Sequence, residues 1–454
     1  MTIIRQGEWF MGAIHLLMGS QIRMCIINLT RSYSVLAVLL ALFFMPIAEA
    51  AQSEYAFLSA SMLQHNQRVI AEDKTKGRGL MPVATQQAYR QLLQQADKAL
   101  KQPDPGVMDK NRVPPSGSKH DYLSLSAYWW PDSQKKDGLP WKHKDGQINP
   151  ASKNEESDGV RLADFTAQVQ TLTLAWYFSG QQQYADKAIS MIRTWFIDPD
   201  TRMNPNLNFA QGVPGIAAGR GTGVLDGRYF ATRIIDSLIM LQQNKRWTAQ
   251  DEKDIRQWMM VYLQWLQQSP AGKKEAVALN NHGNWYAVQV AGIAWYLQQT
   301  QTVVEMANLL KAKLNVQLAA DGSQPLELAR TRSFHYSYFS LQAAVLMARL
   351  ADKVHVGLWH YQTPNGSDLI KALDFMAPFS VEQSKWPYPS LDYIGVRLVP
   401  LMVQADQALG ENRYQQWIEQ AHFSDIASKT EKKQNGAVTE VLRDVGLLSI
   451  PINK

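Results

Sequence analysis

From residue 161 onward the chain reads as one helical segment after another, and this succession limits the possible folds more than any other feature. The segments are "LADFTAQVQTLTLAWYFSG", "QQYADKAISMIRTWF", "RYFATRIIDSLIMLQQ", "DEKDIRQWMMVYLQWLQQ", "GNWYAVQVAGIAWYLQQ", "VVEMANLLKAKLNVQL" and "YSYFSLQAAVLMARLADK". Apolar residues recur at helical spacing, connections are short to moderate, and long strand-like alternation is absent. Gly180, Gly322 and Pro270 punctuate the series as helix stops should. Helices of this length joined in antiparallel pairs within one large domain predict an all-α fold, an incomplete (α/α) toroid whose inner helices and loops build a cleft at one end. No strict repeat is present, so a ligand-gathering solenoid is disfavoured.

The segment before these helices has a different character. "QQAYRQLLQQADKAL" (86–100) is amphipathic, whereas residues 102–160 lose periodicity and fill with Pro, Gly, Lys and Asp. Ahead of both lies "SVLAVLLALFFMPIAEA" (34–50), an apolar run ending in the small-x-small site Ala48-Glu49-Ala50, with Arg23 and Arg31 upstream. It predicts a signal peptide over residues 1–50, with Met24 a better start than Met1. The remaining single domain, 51–454, is expected to be periplasmic or secreted, with no membrane association after cleavage. The only cysteine, Cys25, leaves with the leader, which removes disulfides and thiol chemistry from the mature chain. The formal charge of +6 comes from scattered Lys and Arg without a basic block or nucleic-acid motif. Together with 14 Trp and 17 Tyr, it suits an acidic polymer other than nucleic acid.

Three polar-aromatic clusters fall where helices or loops begin. The first is "LNNHGNWYAVQ" (279–289). A helix cap needs one Asn, yet Asn280, Asn281 and His282 arrive together, with Asn284 and Trp285 behind them. The second is "LELARTRSFHYSYFSL" (326–341), which crowds Arg330, Arg332, His335, Tyr336 and Tyr338 at a helix start. In the plainer reading, Arg332 pairs with Glu327 and the tyrosines edge the core. The third comprises Tyr122, Tyr128, Trp129 and Trp130, an aromatic run able to stack on sugar faces or simply to anchor its loop. Nearby, the Asn- and Gly-rich segment 204–230 carries Arg220, Asp226 and Arg228 and is long enough to be a binding element. A zinc site, a phosphate loop, a dinucleotide fingerprint and a Gly-x-Ser-x-Gly elbow are all absent from the sequence.

"NNHGNWYAVQ", followed by "RTRSFHYSY" and joined by "YWWPD" and "MNPNLNFAQGVPG…GRGTG", resembles the alginate lyase domain superfamily over about residues 115–420. The resemblance implies a secreted α/α-toroid polysaccharide lyase that cleaves a 1,4-linked uronate polymer by β-elimination, with no metal or other cofactor. It maps the Asn-His motif onto Asn281 and His282, and the Arg-to-Tyr motif onto Arg332 and Tyr338, with Arg330 and Tyr336 close enough to compete. That Arg-to-Tyr spacing is one residue shorter than in the classical alginate lyases, so the branch resembled includes glucuronan-type lyases. The expected catalytic set is Asn281, His282, Arg332 and Tyr338. The expected substrate contacts are Tyr128, Trp129, Trp130, Arg220, Trp285, Arg330, His335 and Tyr336. In this assignment Asn281 and Arg332 neutralise the carboxylate, Tyr338 moves the proton as base, acid or both, and Asn280 is structural support. His282 either helps neutralise the carboxylate or takes the C5 proton when the sugar presents its opposite face, so the base is open between Tyr338 and His282. Two other readings stay open at this point: a non-catalytic uronate-binding protein, which could dispense with Tyr338, and a toroid glycoside hydrolase, which needs two catalytic carboxylates.

Overall fold

Helix α1 (Ala60–Lys76) and helix α2 (Val83–Leu100) precede an irregular stretch, after which α3 (Asp158–Ser179) and α4 (Gln182–Ile192) open the main helical series. The series continues with α5 (Asp236–Leu241), α6 (Ala249–Gln268), α7 (Pro270–Ala276), α8 (Asn281–Tyr296) and α9 (Thr300–Gln317). It closes with α10 (Pro325–Leu328), α11 (Ser333–Asp352), α12 (Leu369–Met376), α13 (Leu398–Leu409), α14 (Gln415–Gln420) and α15 (Lys432–Gly446). The computed structural model describes residues 54–449 apart from 77, 78, 80 and 422–431. The leader expected at 1–50 lies outside the described residues.

Neighbours in sequence pack as neighbours in space, α3 on α4 and α8 on both α9 and α11, while α15 returns to cover α2. This is the toroidal arrangement of helix pairs that the sequence predicts. Its innermost member is α8, "NHGNWYAVQVAGIAWY", which has no polar stripe and is buried at nearly every position. A helix apolar all round has nowhere to go but the interior. Gly180 ends α3 with φ 74°, the left-handed cap that the stop signal predicts. Among the described residues no helix is long and apolar enough to cross a membrane.

The stretch 102–160, read from sequence as irregular, and the 204–230 segment, read as a loop, together hold two small sheets. Strand β1 (Leu123–Leu125) pairs in parallel with β4 (Phe209–Gly212), and β2 (Trp129–Trp130) pairs antiparallel with β3 (Lys142–His143). Strands of two to four residues are too short to leave an alternation pattern in sequence, so periodicity could not reveal them.

A buried ion pair fixes these strands to the helices. Lys110 donates to Asp158 at 3.0 Å, with both side chains fully inaccessible, and also to the Val107 carbonyl at 2.6 Å. Asp158, in the first turn of α3, accepts the Leu123 backbone N–H at 3.0 Å and the Arg161 guanidinium at 3.1 Å. The helix start thus holds the strand that walls the cleft described below. Lys110→Ala would leave the Asp158 carboxylate buried with Arg161 as its only cation. The expected loss is about 3 kcal/mol, the scale for breaking a buried pair, read as a lower denaturation midpoint in urea. An unchanged midpoint would show that this pair does not anchor the wall.

Candidate active site

One cleft of about 600 Å³ opens where four pieces of chain meet. The β2–β3 hairpin supplies Tyr128 and Trp129, and the 204–230 segment supplies Arg220, Asp226 and Arg228. The α7–α8 junction supplies Lys274, Glu275, Asn280 and His282, and the entry to α11 supplies Arg330, Arg332, His335 and Tyr336. Lys153 adds a further cation, so six basic side chains face two carboxylates, Asp226 and Glu275. Asp226 is already engaged, accepting from Ser124 at 2.6 Å, Gln211 at 2.9 Å and Tyr122 at 3.0 Å. A concave surface with this balance concentrates a polyanion.

The histidine corner is rigid. His282 Nδ1 hydrogen-bonds Glu275, which is itself buried. With a carboxylate as partner, Nδ1 carries the hydrogen and Nε2 of the neutral ring keeps its lone pair. Lys313 of α9 donates to the carbonyls of Ala276 (2.7 Å) and Ala278 (2.5 Å), clipping the α7–α8 junction in place. The two asparagines divide the remaining work. Asn280 caps α8, its Oδ1 accepting the His282 N–H at 3.3 Å, and lines the cleft. Asn281 is fully buried and gives its backbone N–H and its amide to Glu327, at 2.6 and 2.8 Å. Burial pushes the Glu327 carboxyl above its ordinary value, against the pull of those two bonds.

At the entry to α11, two arginines are held in the same manner. Arg330 grips Asp145 through Nη2 (2.6 Å) and Nε (3.3 Å), and Arg332 grips Asp392 through Nη2 and, at 3.1 Å, Nε. The Asp145 loop closes against Thr331 and Leu391 only because Gly146 has φ 72° and no Cβ, which would strike both side chains. Burial disfavours ionising Asp145, but Arg330 and Thr331 outweigh it and hold the carboxyl down at about 2. Burial likewise disfavours the Arg332 cation, and the bonds to Asp392 and Tyr128 more than restore it. Tyr336 donates to Tyr128 Oη at 2.8 Å, Arg332 Nη1 donates to the same oxygen at 3.2 Å, and the Arg330 guanidinium lies 4.0 Å from the Tyr336 ring centre. Burial, and then Tyr128, push the Tyr336 phenol well above its ordinary value despite Arg330. Burial and Arg332 pull His335 down to about 3, so it is neutral near pH 7 and serves as a neutral contact.

A family model described as alginate lyase matches residues 106–386. The chain belongs to the alginate lyase family. An alginate lyase from Bacteroides ovatus, solved by crystallography, is 32% identical over 85% of this chain and 99% of its own, with a TM-score of 0.76. Alginate lyase A1-III from Sphingomonas species A1 is similar at 14% identity over 81% of this chain and 92% of its own, with a TM-score of 0.51. A variant of A1-III complexed with a tetrasaccharide gives 14% identity, 80% and 91% coverage and a TM-score of 0.53. At that identity the A1-III structures speak to the fold alone. No curated protein matches the chain. As a family member the protein is a polysaccharide lyase with the α/α-toroid fold.

Within this lyase, eight of the twelve residues singled out from sequence line the cleft: Tyr128, Trp129, Arg220, His282, Arg330, Arg332, His335 and Tyr336. Four do not. Tyr338 points away from the cleft into a second cavity beside Arg397, because two residues along a helix turn the side chain by about 200°. Trp285 also faces that cavity, its ring tilted by 33° against Phe339 at 4.8 Å between centres and its indole N–H donating to the Phe339 carbonyl at 3.1 Å. Trp130 braces the hairpin from outside, its indole N–H donating to the Gln147 carbonyl at 2.9 Å. Asn281 lies beneath the surface on Glu327, so it is the buried support and Asn280 the cleft residue, the reverse of the sequence assignment. The pairing of Arg332 with Glu327 gives way to pairing with Asp392. Sequence reasoning gave no role to Glu275 or Lys274, and nothing in "PAGKKEA" marks them out.

Proposed function

We propose that this lyase cleaves a 1,4-linked uronate polymer, alginate first among the candidates, by β-elimination, with His282 as the base and Tyr336 as the acid. The observation that carries the reading is the meeting of the His282–Glu275 and Tyr336–Arg330 pairs in one cation-rich cleft. The Bacteroides ovatus relative, an alginate lyase by description, supports the choice of substrate.

In the elimination, the C5–H bond breaks and its electron pair forms the C4=C5 double bond. The C4–O4 bond breaks in turn, and O4 leaves with a proton. The C5 proton is acidic only when the adjacent carboxylate is neutralised, because charge accumulates there in the transition state. Arg330, held at Nε and Nη2 by Asp145, has Nη1 to offer that carboxylate, and Asn280 has an amide. The Nε2 lone pair of His282 takes the proton. Tyr336, kept protonated by burial, delivers its own to O4 and is re-protonated through Tyr128 and solvent. Trp129, with the Arg220 guanidinium 5.4 Å from its ring centre, would stack on a neighbouring sugar.

Arg330 and Tyr336 stand six positions apart, as Arg332 and Tyr338 do, so the spacing argument for glucuronan survives the change of register. A screen of alginate, polymannuronate, polyguluronate, glucuronan and hyaluronan in EDTA-containing buffer tests the assignment. The expected result is rising ultraviolet absorbance from unsaturated uronate ends with at least one 1,4-linked uronate polymer. New reducing ends without that chromophore would mean hydrolysis and would overturn the proposal.

A further inference from the structure

Behind the cleft lies a second cavity of about 350 Å³, and the two share Arg228, Tyr229, His335 and Phe339 as a common partition. Five arginines line the second cavity, against Glu440 and Asp444. Both carboxylates are taken, Glu440 by Arg233 at 3.3 Å and Asp444 by Arg443 at 2.8 Å. Among the described residues, no carboxylate lies within ion-pair distance of Arg228, Arg349 or Arg397. Arg228 donates to the Leu225 carbonyl at 3.0 Å and to Tyr229, and Arg397 lies 6.0 Å from the Tyr338 ring centre. Burial pulls the Arg349 guanidinium below its ordinary value, which shows the desolvation its position imposes.

Asp236, Asp444 and Asp352 act on Arg349 from beyond contact distance, and Asp392 interacts with Arg397 in the same way, so these cations are offset at a distance but have no direct carboxylate partner. A direct anionic partner would gain a charge-assisted hydrogen bond there. The rest of the lining suits a sugar acid. Tyr338 and Trp285 give aromatic surface, and the buried Oε1 of Gln404 has no hydrogen-bond partner in the protein. Arginines for carboxylates, an amide for hydroxyls and aromatic faces for ring carbons are the groups a uronate requires.

We propose that this chamber binds uronate residues of the same substrate chain beyond those in the catalytic cleft, with Arg349 and Arg397 taking their carboxylates and Arg228 bridging the two compartments. The inference rests on the uronate reading above and adds to it a dependence on chain length. It also gives Tyr338 and Trp285 a place at the substrate, remote from the bond that breaks.

The test measures binding in the Tyr336→Phe background by isothermal titration calorimetry with oligomannuronates of two and six residues. The carboxyl-reduced hexamer serves as the uncharged control. Arg397→Gln and Arg349→Gln should each weaken the hexamer roughly tenfold or more, the scale of one charge-assisted hydrogen bond, and leave the dimer unchanged. Gln404→Ala should act in the same direction more weakly, and it reports on the chamber if Arg349→Gln fails to fold. The parent should bind one hexamer per protein and discriminate strongly against the reduced form. Equal weakening of both lengths, no weakening of the hexamer, or two dimers bound at independent sites would overturn the chamber. Full activity of Tyr336→Phe would instead sink the catalytic assignment. The length dependence would then be read from KM with chamber variants that keep Tyr336, so the two failures are distinguishable.

Discussion

Tyr336→Phe is expected to lower kcat by roughly 10²- to 10⁴-fold, the usual cost of losing a general acid, with KM changed by less than about threefold. The substitution removes one hydroxyl and keeps the ring beneath the Arg330 guanidinium, 4.0 Å away, so packing and the Arg330–Asp145 grip both survive. What disappears is the hydroxyl that donates to Tyr128 Oη at the wall of the cleft, its oxygen 2.8 Å from that acceptor. Tyr338→Phe is the matched control. It too removes one hydroxyl from a buried ring on α11, but on the side that faces Arg397, and kcat should stay within about threefold of the parent. Ultraviolet assays of both purified variants decide the matter. Equal losses, or the larger loss in Tyr338→Phe, would mean that α11 presents a different face to substrate and that the acid has been misassigned.

The same comparison shows what the sequence could reveal and where it stopped. The toroid was legible because an apolar period repeated over many helices survives any error at their boundaries. The location of the site was legible too, since the Asn-His and Arg-Tyr clusters each sit at a helix start. The register within α11 was not legible. The row of Tyr338 (Phe334, Leu341, Val345, Ala348) and the row of Tyr336 (Ser340, Ala343, Met347, Leu350) are both buried, so an apolar stripe does not separate the two tyrosines. What separates them is what packs opposite each face: Tyr128 and Arg330 at Tyr336, Arg397 at Tyr338. The exchange of roles between Asn280 and Asn281 had no signal either. It depends on Glu327, 46 positions away in sequence from Asn281, arriving beneath α8 to take both of its N–H groups. Long-range pairings of this kind are set by how the helices pack and leave no trace in local pattern. The same holds for Asp145 and Asp392, which hold the arginines from loops far along the chain.

His282→Ala is expected to cost roughly 10²- to 10⁴-fold in kcat, comparable to the loss of Tyr336. Glu275 provides the sharper test, because it never touches the sugar in this scheme and acts only through the imidazole. Glu275→Gln keeps an oxygen able to accept from Nδ1 but removes the negative charge that favours the imidazolium formed as C5 is deprotonated. The expected loss is roughly 10- to 100-fold in kcat with little change in KM, since binding rests on the arginines and aromatics. A structural role alone would also lower kcat, so a second measurement is needed. With substrate deuterated at C5, the isotope effect on kcat should grow in Glu275→Gln, because slower proton transfer to His282 makes C–H cleavage more fully rate-limiting. The Lys313 clip on the Ala276 and Ala278 carbonyls remains in this variant, so the junction should keep its shape and the melting temperature should move little. A lower kcat with an unchanged isotope effect would place the slow step elsewhere and remove His282 as the base. Tyr336, already bonded to Tyr128, would then have to both take and return the proton.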